Sequence, residues 1–189
     1  MKTTLKTLPM LFAMSIATAT FAQKKEIKAA ESVIEWTGKK VTGSHNGTIQ
    51  LKDGFLQFDG DKITGGEFTV DMTTIEVKDL EAGKGKEKLE GHLNSDDFFG
   101  TSNHKTAKLV IEEAKKSDTN TYKINAVMTI KGKTNPLNFD LDINGNTAKA
   151  DVKIDRTKYD IKYGSGSFFD NLGDKAIYDE FTLNVKLEM

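Results

Sequence analysis

Apolar and polar residues alternate one for one along much of this chain, the pattern of strands that are dry on one face only. Between Tyr122 and Lys131 the apolar side is Ile124, Ala126, Met128 and Ile130, opposed by Lys123, Asn125, Thr129 and Lys131. Leu137, Phe139, Leu141 and Ile143 then alternate with Asn138, Asp140 and Asp142. Asn144-Gly145-Asn146 follows with turn chemistry, because Asn and Gly accept positive φ at low cost. Ala148, Ala150, Val152 and Ile154 mark a third strand, and Phe181, Leu183, Val185 and Leu187 a last one. The N-terminal half is less regular. Strands are predicted at 33–40, 54–59 and 63–72, with extended chain on to residue 77, and Asp59-Gly60-Asp61 reads as a hairpin turn. One helix is predicted over 84–93, where Leu89 and Leu93 give a thin apolar stripe suited to lying across a barrel opening. Pro136 stands at a strand start, where a missing N–H is tolerated.

About eight strands with one dry face cannot stay an open sheet without exposing edges. Closure into a barrel or folding into a sandwich removes that problem, and the alternation fits both. Of eleven phenylalanines the nine beyond residue 22 are enough either to fill such an interior or to line a cavity.

Composition changes the picture in three ways. Lys2 and Lys6, an apolar run over 8–19 and the small residues Thr20 and Ala22 form a signal peptide, so residues 1–22 are set aside and 23–189 are expected to be one β domain, periplasmic or secreted. The apolar run is too short to anchor a span, so the protein is expected not to cross a membrane. The chain has no cysteine, hence no disulfide, no thiolate and no lipid-modified cysteine. Roughly 167 residues can bury about 70% of their unfolded surface in one core. Removing the two signal lysines leaves 25 basic against 28 acidic residues, with Arg156 the only arginine, a balance that argues against nucleic acid.

The polar candidates are few. His45, His92 and His104 lack the i, i+4 pairing of a helical zinc site, so no metal and no cofactor is expected, and His92 is read as fixing the helix-to-strand junction. Asp96 and Asp97 are neighbours that point to opposite faces on extended chain, which suits a turn better than an acid–base pair. Gly83-Lys84-Gly85-Lys86 lacks the following Ser or Thr of a phosphate loop and reads as a surface loop. Arg156 is either a tie to backbone carbonyls at a barrel end or a head-group contact. Gly164-Ser165-Gly166-Ser167 before Phe168-Phe169 reads as a mobile rim or lid with an apolar tip. No nucleophile elbow or cofactor fingerprint appears, so the chain is not expected to be an enzyme.

Five short motifs, in order, resemble the YceI family of exported bacterial proteins. They are Ser32-Val33-Ile34-Glu35-Trp36 with Gly43 through Gly47; Thr69 through Ile75; His92-Leu93-Asn94-Ser95-Asp96-Asp97-Phe98-Phe99; Met128 through Thr134 with Pro136; and Ile154-Asp155-Arg156 through Ile161. The stretch 103–109 is plainer than the aromatic-rich strand the family has there. The resemblance implies an extended, lipocalin-like antiparallel barrel of about eight strands, holding a polyisoprenoid or other long-chain lipid, linked to stress response and forming a homodimer. The lining residues it suggests are Trp36, Phe55, Phe68, Met72, Leu93, Phe98, Phe99, Met128, Ile130, Phe139, Phe168 and Phe169, with ordinary core packing the competing role for each. A filled barrel acting as an interaction or structural module is the alternative.

Overall fold

The computed structural model describes residues 23–189, so the expected signal segment lies outside the described residues. The strands are β1 (Gln23–Glu26), β2 (Val33–Lys40), β3 (Gly43–Asp59), β4 (Lys62–Val77), β5 (Thr106–Lys116), β6 (Thr121–Ile130), β7 (Lys133–Asn144), β8 (Thr147–Asp155) and β9 (Ile177–Glu188). One helix, α1 (Lys86–Asn94), and three single 3₁₀ turns complete the described elements. Every pairing is antiparallel, in the order β1-β3-β2-β9-β8-β7-β6-β5-β4, and β3 also pairs with β4. That last pairing closes β2 through β9 into an eight-stranded barrel, as expected, and leaves no long free edge.

Closure depends on β3. Its 17 residues carry bulges against β4 at Thr48/Gln50, Leu51/Asp53 and Gln57/Phe58. Bulges bend a strand, and here they let the first half of β3 pair with β2 and the second half with β1. Gly47 is required where β3 passes between β4 and the Trp36 side chain. A Cβ there would fall 1.8 Å from the Glu76 carbonyl oxygen and 2.6 Å from the Trp36 ring. The indole lies over this glycine and donates to the Thr48 carbonyl at 3.3 Å.

Four elements differ from the sequence expectation. β3 begins at Gly43 instead of residue 54, α1 begins two residues late behind the positive-φ Gly85, and the alternation predicts neither β1 nor β5. In β5 a bulge between Ile111 and Glu113 breaks the alternation.

The two ends of the barrel differ. At the end holding the β3–β4, β5–β6 and β7–β8 turns, Leu56, Ile63, Ile124, Leu141, Ala148 and Leu187 are buried against one another. The Tyr122 hydroxyl donates to the Asp61 carbonyl across this end at 2.8 Å, and Ile27 N–H donates to Gly54 at 2.9 Å, closing it further. The other end carries the β2–β3 turn, the 78–105 connection with α1, and the long 156–176 connection. Among the described residues no helix is long and apolar enough to cross a membrane.

Candidate functional site

Side chains that leave the packed end full leave the other end hollow. A cavity of about 400 Å³ opens there, a size within the range of small-molecule sites. Its wall is built by the inward positions of the strands: Ile34 and Trp36 of β2, Ile49 of β3, Val70, Met72 and Ile75 of β4, Ala107 of β5, Met128 and Ile130 of β6, Ile154 of β8 and Phe181 and Leu183 of β9. Leu89, His92 and Leu93 of α1 cover one side, joined by Phe98 and Phe99 from the turn that follows. The helix is set by Glu90, whose carboxylate accepts from Val77 N–H at 2.9 Å. Phe98, Phe99 and Phe181 stack edge to face in a chain, with centroids 5.3 and 6.1 Å apart, so the aromatic wall is geometrically ordered.

The charged lining comes from β2, β9 and the 156–176 connection. Arg156 is 2% exposed, yet its guanidinium borders the cavity. Nε donates to the Tyr178 carbonyl at 3.1 Å, Nη1 to Ile161 at 2.8 Å and Nη2 to Ile177 at 3.0 Å, with the Phe98 ring 5.6 Å away. Asp179 lies 3.6 Å from Nη2. The arginine thus pins the 156–161 turn to the start of β9, a task for a planar group with several fixed donors. Burial pulls the guanidinium pKa down against the opposing fields of Asp179 and Asp155. Burial pushes the Asp179 carboxyl up, but the Ser165 and Ser167 hydroxyls and Arg156 outweigh it and hold it below the ordinary carboxylate range.

A second polar tie joins the β4–α1 connection to β3. His45 Nδ1 lies 2.8 Å from Asp79 Oδ2, and Asn46 N–H donates to Asp79 Oδ1 at 3.1 Å. Burial raises the Asp79 carboxyl pKa, and the Asn46 and His45 hydrogen bonds more than reverse it, so it too sits low. His92 packs edge-on against Tyr163 and Phe98, at 4.4 and 5.4 Å between centroids, which places it at the helix-to-turn junction as an aromatic contact. Among the described residues no group of three or more His, Asp or Glu could hold a metal ion.

Of the twelve suggested lining residues, the structure gathers Trp36, Met72, Leu93, Phe98, Phe99, Met128 and Ile130 around the cavity. It places the other five elsewhere. Phe68 is buried but lies over Gly54, where an added Cβ would come 2.7 Å from its ring. Phe139 packs opposite Ile124 toward the filled end. Phe55 is paired with Glu26 of β1, with the Lys24 ammonium 4.0 Å above its ring. Phe168 and Phe169 are exposed outside the mouth. The loop before them is anchored: Ser165 is fully buried, and Ser167 Oγ donates to Asp179 Oδ2 at 2.5 Å. His45 and Leu89, weighed above as a metal candidate and as part of the helix stripe, also border the cavity, as do Tyr163 and Ile177. Phe181 and Leu183 lie on a strand face already read as dry, so alternation pointed to them, whereas nothing local marked Tyr163 or Ile177.

The family model described as YceI-like domain matches residues 26–189. No curated protein matches the chain in sequence. Among solved structures, BcnA of Burkholderia cenocepacia is similar at 20% identity and TM-score 0.64, covering 85% of this chain and 98% of its own. A polyisoprenoid binding domain from Saccharophagus degradans, implicated in plant cell wall breakdown, aligns at 11% identity and TM-score 0.55, covering 86% and 95%. The Campylobacter jejuni YCEI protein aligns at 14% and 0.55, covering 96% and 92%. At these identities the likeness is one of fold.

Proposed function

The chain belongs to the YceI-like domain family, and from that premise we propose that it is an exported binding protein holding a long-chain apolar lipid, isoprenoid or fatty-acid-like, as carrier or store. The observation that carries this reading is the 400 Å³ cavity, apolar along its strand walls and open at one end. A packed barrel would bury those side chains against each other, whereas here Trp36, Met72, Met128 and Phe99 face a common void. Each methylene moved from water into such a site gains about 0.8 kcal/mol gross, so a twenty-carbon chain gains roughly 16 kcal/mol before ordering and association costs. Affinity then needs no charged contact. Arg156 uses three donors on backbone carbonyls, which supports a structural role over head-group recognition. The relation to a polyisoprenoid binding domain in fold agrees with this ligand class.

The test is native mass spectrometry of protein purified from its producing cell, followed by organic extraction. A stoichiometric long-chain lipid is expected, and it should be lost in Ala107→Phe, which puts a ring into the cavity, and kept in Phe139→Leu at the filled end. An empty protein that also refuses added isoprenoid alcohol would sink the proposal in favour of a barrel acting through its surface.

A further inference from the structure

Six large apolar side chains stand exposed among the described residues: Val33, Val41, Tyr163, Phe168, Phe169 and Tyr178, each with 45–55% of its surface open. Tyr163 and Tyr178 line the cavity, and Val41, Phe168 and Phe169 lie on two connections that supply or adjoin lining residues at its open end. Val41 is on the β2–β3 turn, its N–H bonded to the Ala176 carbonyl at 3.1 Å; Tyr163, Phe168 and Phe169 are on the 156–176 connection; Tyr178 opens β9. We propose that this rim is a membrane-docking surface, which sets the mouth into the boundary between head groups and acyl chains of a phospholipid bilayer. The proposal rests on the lipid-cavity reading for its purpose, and stands on its own geometry for the contact.

Three observations carry it. The aromatic pair is presented outward by a built turn: the buried Ser165 carbonyl accepts from both Phe168 and Phe169 N–H, at 3.2 and 3.0 Å, and Ser167 is tied to Asp179. A fixed turn that holds two phenylalanines in water leaves apolar area without compensation in the free molecule. The patch is also continuous with the cavity, since Tyr163 and Tyr178 belong to both. Finally, these side chains sit on separate connections, and the charges beside the cavity are of both signs. Lys39, Lys40 and Lys175 border it together with Asp174 and Glu180, and the Lys162 ammonium lies 5.1 Å over the Phe168 ring. Neither a flat face nor a one-signed field is offered to a protein partner, whereas scattered aromatic tips with lysines beside them suit a soft interface.

The experiment is co-sedimentation of the chain from Gln23 onward, which contains the whole barrel, with phosphatidylcholine vesicles, with and without phosphatidylglycerol, at low and high salt. The double variant F168S/F169S is compared with V33S, an exposed apolar residue away from the mouth. Uptake of a dispersed isoprenoid alcohol is measured separately on the same proteins without vesicles. The expected result is vesicle binding that survives high salt, falls about tenfold or more in the double variant and is unchanged in V33S. Near-ultraviolet circular dichroism keeps a folding defect distinct from a docking defect. Val41→Thr supplies a second, milder loss should the double variant unfold. Binding unchanged in both rim variants, or abolished by salt, overturns the proposal. So does a wild type that ignores vesicles and instead forms a rim-dependent dimer. Alcohol uptake without vesicle binding overturns docking and leaves the cavity reading standing; vesicle binding lost in the double variant but without alcohol uptake supports docking and removes the cavity reading.

Discussion

At one end of the barrel Leu56, Ile124 and Ala148 are at most 1% exposed within the buried core, while at the other end the same strands, with the same alternation, enclose a void of about 400 Å³. The difference lies in what holds each end shut. The filled end is closed by side chains meeting in the middle and by short turns. The hollow end is held from the rim, by Arg156 bonded to three carbonyls, by the His45–Asp79 tie and by α1 laid against β4. Polar ties at the periphery let the middle remain empty, so stability and ligand space are separated along one set of strands.

The sharpest way to break that comparison is to cut the rim. Arg156→Leu leaves one buried and two part-buried carbonyls without a donor and Asp179 without its cation, and should cost about 3–5 kcal/mol, read from urea unfolding. A cost under about 1 kcal/mol would mean that the clamp does not hold the hollow end. Next comes a matched truncation. Ile124→Ala at the filled end should cost about 3–4 kcal/mol, and Ile130→Ala on the cavity wall about 1–2, because Ile130 already faces space on one side. Equal losses would say that the void is filled in solution by the protein itself. The reverse substitution is gentler. Ala148→Phe should destabilise by about 1–3 kcal/mol, whereas Ala107→Phe should change stability by less than about 1, since its ring has somewhere to go. The smallest effect is acid sensitivity. Asp179 and Asp79 have folded pKa values below their unfolded ones, so their contribution is complete above the ordinary aspartate value of about 3.9 and is lost as pH falls through the lower folded values. Hydrogen exchange at pH below about 4 should therefore loosen the 156–179 segment before β6 and β7.

The strand faces and the single helix were legible in the amino-acid pattern wherever strands run straight, as in β6 through β9. The pattern was lost where the barrel bends. The bulge between Ile111 and Glu113 disrupts β5, and the first half of β3 contains Asn46 and Gly47, residue types common in turns that are extended here, Gly47 because the Glu76 backbone and the Trp36 ring leave no room for a Cβ. The site was legible in part for a related reason. Alternation says which residues point inward, not how far along the barrel they meet a partner. Phe139 and Met128 carry the same signal on neighbouring strands, yet one packs near Ile124 and the other faces the void. Phe168 and Phe169 were expected both as lining and as the apolar tip of a rim loop; the structure keeps only the second, because the buried Ser165, which its neighbours did not foretell, turns them outward.

Trp36, the single tryptophan, lies on the cavity wall and reports its contents directly. Titration of the purified, delipidated chain with a twenty-carbon isoprenoid alcohol should shift the Trp36 emission to shorter wavelength and saturate at one alcohol per chain, with no shift in Ala107→Phe. An emission that stays constant through the titration, or shifts equally in Ala107→Phe, would contradict a hollow end that takes up an apolar chain.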